Sequence, residues 1–194
     1  MLLANSEFSK KLIEKSYKKP ATVCYLGVDV SLFTPQKQMK PIDVLFIGSK
    51  DNGYDLLEKL SKLFGNKLKI KTIFREGDKS NITDKELVKI YDKSKVLVAL
   101  NHNEPFGLIP LEAMACGIPV IAIGEGGYNE SIVDNKTGFL ISRSLDDLYE
   151  KTNKIINNEK LRKEMGRNAR ENILQNWTWD RSVERFLKII KYAK

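Results

Sequence analysis

Cysteine is scarce in this 194-residue chain: Cys24 and Cys116 are the only two, far apart and without a CxxC or Cys/His neighbour. That spacing points away from a disulfide framework and a structural zinc site, and both read as buried thiols of a reducing compartment. Long apolar runs are lacking too. The longest, at 96–100 and 118–123, fall far short of the roughly 20 residues a membrane-spanning helix needs. Met1-Leu2-Leu3-Ala4-Asn5 has no basic region before it and is too short for a signal-peptide core, so a cytoplasmic address is expected. No RNP, zinc-finger or helix-turn-helix signature gathers the basic residues, and nucleic acid is not expected as a partner. What the chain has in excess is positive charge: 33 Lys plus Arg against 25 Asp plus Glu, a formal +8. This is a solvated Lys-rich surface that favours anionic partners, nucleotides among them, and leaves peripheral contact with an acidic membrane open.

With 42% hydrophobic and 30% charged residues, the chain can bury one sizeable core. Short β-branched runs recur at 22–26, 43–47, 68–74, 96–100, 119–123 and 138–141, with helix-period segments between them at 54–63, 83–92, 110–115 and 128–134. Such alternation predicts βαβ units and a doubly wound, Rossmann-like α/β fold on a parallel sheet. The ends differ. Residues 6–19 read as a charged helix, and everything after Leu145 reads as helix, broken near Asn157-Asn158 and again around Trp177. Leu161, Met165, Ala169 and Ile173, then Phe186 and Ile189, fall at the spacing of a core-facing stripe. The polar, proline-bounded stretch 33–41 has the composition of a linker. The expected division is 1–36, 37–176 and 177–194.

The most informative stretch is 101–122, NHNEPFGLIPLEAMACGIPVIA. It begins at the C-terminal end of a predicted strand, where open α/β sheets bind ligands. Pro110 suits the first turn of a helix and Gly117 its end. The helix then starts just after Phe106-Gly107-Leu108, whose amides and positive dipole end can receive a phosphate or a sugar oxygen. Glu104 and Glu112 flank that turn.

Here the sequence resembles the family-4 (group 1) retaining glycosyltransferases. The resemblance rests on Glu-x7-Glu (Glu104 and Glu112) within EPFGLIPLEAMACGIPVIA, on Gly126-Gly127-Tyr128-Asn129-Glu130, and on Lys136-Thr137-Gly138-Phe139-Leu140. Leu26-Gly27-Val28-Asp29 to Phe33 is similar to the family's PGVD…F crossing, with Leu26 where Pro is usual. Met165-Gly166-Arg167-Asn168-Ala169-Arg170 and Trp177-Thr178-Trp179 are similar to its closing helices. The resemblance implies the C-terminal, donor-binding half of a GT-B fold, in which the donor lies between two Rossmann-like domains. It implies that Glu112 bonds the donor ribose hydroxyls and Glu104 the hydroxyls of the transferred sugar, the candidate catalytic pair. The amides of Phe106, Gly107 and Leu108 would hold the sugar and β-phosphate. His102 would line the sugar pocket or serve only as a polar neighbour. The implied substrate is a UDP- or GDP-linked hexose, with a glycan, lipid or protein acceptor and neither cofactor nor metal.

Two departures stand out. After the run 43–47 the family carries a Gly-Arg and then a Lys-Gly that neutralise the diphosphate. Gly48-Ser49-Lys50-Asp51-Asn52-Gly53 puts Ser49 and Asn52 in those places, removing two charge-assisted contacts of roughly 1.5–3 kcal/mol each. Lys50 and Arg75 are the candidate replacements. Secondly, the N-terminal domain is not apparent: MLLANSEFSKKLIEK is similar to its last strand and helix only. The expectation is either a fragment of a longer enzyme or an acceptor half supplied by another chain, with self-association or a partner chain following and Phe186 and Ile189 exposed or repacked. The alternative to a transferase is a non-catalytic nucleotide-sugar-binding or assembly module. A glycoside hydrolase using Glu104 and Glu112 needs opposed carboxylates about 5–9.5 Å apart across a sugar, and the doubly wound pattern argues against it.

Overall fold

A computed structural model describes residues 1–36, 38–65, 67–74 and 82–192. Its centre is a parallel sheet of five strands, β3 (Ile42–Gly48), β4 (Ile70–Phe74), β5 (Ser94–Ala99), β6 (Val120–Ile123) and β7 (Gly138–Ile141), in the order β4-β3-β5-β6-β7. These strands are apolar on both faces because both faces are covered. Leu45, Ile47, Leu97, Ala99, Val120 and Ala122 belong to one buried cluster, and the alternating Val44, Phe46, Val96, Val98, Ile121 and Ile123 belong to the other. Helices α3 (Asp84–Asp92) and α4 (Leu108–Ala115) contribute to the first cluster, α2 (Tyr54–Leu63) and α6 (Leu145–Asn157) to the second. The doubly wound architecture expected from the sequence is the one observed. Successive strands run β3 to β4 in one direction and β5, β6, β7 in the other. The topological switch point therefore lies between β3 and β5, and it opens at their C-terminal ends, Gly48 and Ala99.

Element ends follow local chemistry. Thr83 and Glu86 form a reciprocal capping box on α3, and Ser144 caps α6. Asn158 caps α7 (Glu159–Asn176), which is the expected break after Asn157. The expected helix 128–134 stops early, as α5 (Tyr128–Ser131), because Ile132 is extended and Thr137 Oγ1 takes the Val133 amide. The expected strand 22–26 shortens to β2 (Ala21–Val23). Its parallel partner β1 (Leu2–Ala4) has only three residues to pair with it, and the two form a separate sheet beside α1 (Glu7–Tyr17). Cys116 is buried as expected, whereas Cys24, just past the end of β2, is half-buried.

The closing helix α7 buries Met165, Ala169 and Ile173, as the stripe predicts. Arg170 donates to the carbonyls of Phe33, Ala115 and Val30, locking the crossing segment to the end of α4. Gly166 lets α7 reach the α4–β6 turn, since a Cβ there would lie 2.1 Å from the Gly117 carbonyl oxygen. Gly166→Ala is therefore expected to destabilise by about 1–3 kcal/mol despite alanine's better helix propensity. A lowered urea midpoint with unchanged slope checks this. The last helix, α8 (Trp179–Tyr192), departs from the stripe: Val183, Phe186, Leu187 and Ile190 are exposed and Ile189 half-buried. Among the described residues no helix is long and apolar enough to cross a membrane.

Candidate donor site

A pocket of about 320 Å³ opens at the switch point, floored by Ile47 and Ala99 and walled by residues 104–110 and Tyr128. Gly107 is the N-cap of α4 with φ +93, a left-handed conformation that favours glycine. A Cβ there would also lie 2.7 Å from the Tyr128 ring. No side-chain cap bonds this helix start, so the amides of its first turn lack intrahelical partners and face the pocket end of the helix. The helix begins two residues before the expected 110–115. Pro110 is tolerated because a first-turn residue needs no amide hydrogen.

Glu104 is half-buried, and Asn101 Nδ2 donates to its Oε2 at 3.1 Å. Asn101 Oδ1 is buried without a partner, and a Cβ on Gly48 would lie 3.1 Å from it, so Gly48, Asn101 and Glu104 are contiguous. The Gly126-Gly127 pair closes on this turn: Gly127 N–H donates to the Glu104 carbonyl at 2.8 Å, and a Cβ on Gly127 would lie 2.5 Å from Phe106 Cα. Burial, and then the Glu104 carboxylate, push the Tyr128 hydroxyl well above its ordinary range. Beneath the turn Phe106 is buried beside Trp177, ring centroids 5.8 Å apart, and Tyr25 stands edge-on to Trp177 at 5.2 Å. Trp177 thus supports the turn from below. Beside it, the bond from Arg143 holds the Glu125 carboxyl below its usual range.

Glu104, Phe106, Gly107 and Leu108 come together in the pocket; Glu112 does not line it. It lies further along α4, half-buried, and accepts from Tyr91 Oη at 2.8 Å. His102 is exposed, its N–H donating to Asn52 Oδ1 at 2.6 Å. Asn52 thereby joins the β3–α2 loop to the β5–α4 loop. Ser49 offers its carbonyl to the Asn52 amide, and the Lys50 ammonium sits over the Phe74 ring at 5.3 Å. Arg75 lies outside the described residues.

Sequence reasoning missed Asn5, which follows β1 and lines the pocket. It also missed the contacts by which the 104–107 turn and α5 hold α1. Ser6 Oγ donates to the Pro105 carbonyl at 2.5 Å, while the Glu130 carboxylate accepts from the amides of Glu7 and Phe8 and from Tyr25 Oη. Burial and Glu130 push the Tyr25 hydroxyl up to about 12. The Glu of the Gly-Gly-x-x-Glu segment therefore caps a helix more than 120 residues away in sequence. Among the described residues no group of three or more His, Cys, Asp or Glu could hold a metal ion.

An uncapped helix start at the switch point of a doubly wound sheet, with the Glu104 carboxylate beside it, is the class of site found in the donor half of a GT-B glycosyltransferase. The sequence model described as Glycosyl transferases group 1 matches residues 32–172, and the chain belongs to that family. It is 31% identical over 207 aligned residues to an uncharacterized glycosyltransferase of Methanocaldococcus jannaschii, covering 94% of this chain and 56% of that protein. Among solved structures, sucrose-phosphate synthase from Thermosynechococcus elongatus superposes with a TM-score of 0.76 at 18% identity, over 97% of this chain and 57% of that one. Anabaena HepE in complex with UDP and glucose superposes with a TM-score of 0.78 at 17% identity, over all of this chain and 63% of that one. At those identities the likeness shows the fold. The chain spans about half the length of the Methanocaldococcus relative, and less of the trehalose synthases it also resembles.

Proposed function

We propose that this chain is the donor-binding part of a retaining hexosyltransferase that takes its sugar from a UDP- or GDP-linked donor. The observation that carries the reading is the sharing of one pocket by Glu104, held by Asn101, and the uncapped first turn of α4. The amides of Phe106, Gly107 and Leu108 receive the sugar and β-phosphate oxygens. Glu104 accepts from the hydroxyls of the transferred sugar, and Glu112 from those of the ribose. His102 and Gly48 border the site, and Ser49 and Lys50 belong to its diphosphate side. Chemistry in this scheme is electrostatic: fixed dipoles stabilise a departing diphosphate beside an oxocarbenium-like sugar, with no metal. The acceptor, a glycan, lipid or protein, approaches from a second half supplied by a longer chain or a partner. The HepE complex with UDP and glucose supports a nucleotide-sugar donor by likeness of fold, and the absence of a spanning helix among the described residues is compatible with a cytoplasmic or membrane-peripheral enzyme.

Glu104→Ala tests the assignment. Affinity for the preferred sugar nucleotide should fall about tenfold or more, the worth of a hydrogen bond to a charged group, while affinity for the free nucleoside diphosphate stays nearly constant. Equal losses for both ligands in calorimetry would show that Glu104 does not serve the sugar.

One observation favours a second reading, a non-catalytic nucleotide-sugar-binding module. Asn52, standing where the family places its Lys, is engaged with the His102 amide, and Lys50 lies over Phe74. Donor binding, hydrolysis and transfer measured with and without lysate from the protein's source separate the two readings, since binding with no turnover in either case supports the module.

A further inference from the structure

Tyr91 closes the last turn of α3 and is fully buried. A buried phenol needs a hydrogen-bond partner, and among the described residues Glu112 Oε2 lies 2.8 Å and the Ile109 carbonyl 3.5 Å from its Oη. The hydroxyl has one proton, and the closer, charged acceptor takes it. The ring is itself fixed, edge-on to Phe33 at 6.2 Å. A glutamate carboxylate has a broad terminal torsion, which hydrogen bonds such as the one from Tyr91 narrow. To receive two neighbouring hydroxyls it must be held in one plane, and holding it beforehand removes that ordering cost from the binding step.

We propose that Tyr91 is the positioning residue for Glu112, setting the plane of the carboxylate that receives the ribose hydroxyls while itself touching no part of the donor. The inference rests on the reading of Glu112 given above. It adds a specificity element: through Tyr91, α3 tunes the preference of the site for a ribose bearing both hydroxyls.

The test uses the full chain, the tightest-binding of UDP, GDP and ADP, and the 2′,3′-dideoxy counterpart of that nucleotide. Tyr91→Phe keeps the ring and should lower affinity for the ribonucleotide roughly threefold to tenfold, the reach of one hydrogen bond. Affinity for the dideoxy nucleotide should not change. Glu112→Ala should show the same discrimination to a larger extent, and the double variant should bind no more weakly than Glu112→Ala alone, because Tyr91 acts only through that carboxylate. No loss for the ribonucleotide, equal losses for both nucleotides, or losses that add in the double variant would each overturn the positioning role. A different result, Glu112→Ala failing to distinguish ribose from dideoxyribose, would overturn the ribose assignment beneath it.

Discussion

Glu112→Ala should lower affinity for the preferred nucleoside diphosphate by about 10- to 100-fold, the equivalent of one good charge-assisted hydrogen bond. The carboxylate is half-buried on α4, and in the proposed scheme ribose hydroxyls that lose water on docking beside it would be left without their acceptor. The fold should survive the change. Tyr91 Oη keeps the Ile109 carbonyl as a second acceptor, 3.5 Å away, so the thermal midpoint of the unliganded chain should move little. Calorimetry showing unchanged affinity with a normal midpoint would remove Glu112 from the donor site.

The second large effect concerns transfer itself. The purified 194-residue chain should bind a nucleoside diphosphate yet transfer sugar at a rate lowered by about five orders of magnitude or more, since orientation of two reactants contributes roughly 7–11 kcal/mol to such barriers. The pocket has α4 and the Gly126-Gly127 turn on one side, and Asn5 is what the β1–α1 segment contributes to it. In the proposed scheme, donor bound without the acceptor half opposite it would also meet water, which weakens the stabilisation of the leaving diphosphate. The exposed face of α8, with Val183, Phe186, Leu187 and Ile190, is where self-association or a partner chain is expected. Incubating the chain with labelled donor and a panel of glycan, lipid and peptide acceptors, with and without lysate from its source, checks this. Transfer that appears only with a fractionable protein component supports the half-enzyme reading, and robust transfer by the purified chain refutes it.

Much of this was legible in the sequence because it depends on local chemistry. Strands covered on both faces show as short apolar runs, and Pro110, Gly117 and Asn158 mark helix ends by conformational preference or capping. The place of Glu104 at the pocket was readable because the turn that follows it carries its own signature, whereas the spacing did not show that Glu112 stays out of that pocket. What was not legible depends on packing between distant residues. Nothing in the spacing of Tyr91 reveals that it meets Glu112. Nor does the sequence near Glu130 announce that it caps α1. Asn52 gave the absence of a Lys, but only the folded loops show it bonded to the His102 amide. Phe186 follows the same period as Ile173, and periodicity alone does not distinguish a face that is covered from one that is exposed.

Titration of the chain with UDP, GDP and ADP and with their sugar-linked forms, followed by thermal unfolding, tests most directly whether this is a donor-binding half. A ligand that binds only the folded state raises the midpoint in proportion to ln(1 + [L]/Kd). One nucleotide should raise it, increasingly with the logarithm of its concentration above Kd, and its sugar-linked form should raise it further through Glu104. If none of the six ligands shifts the midpoint at millimolar concentration, the pocket at the head of α4 is not a donor site.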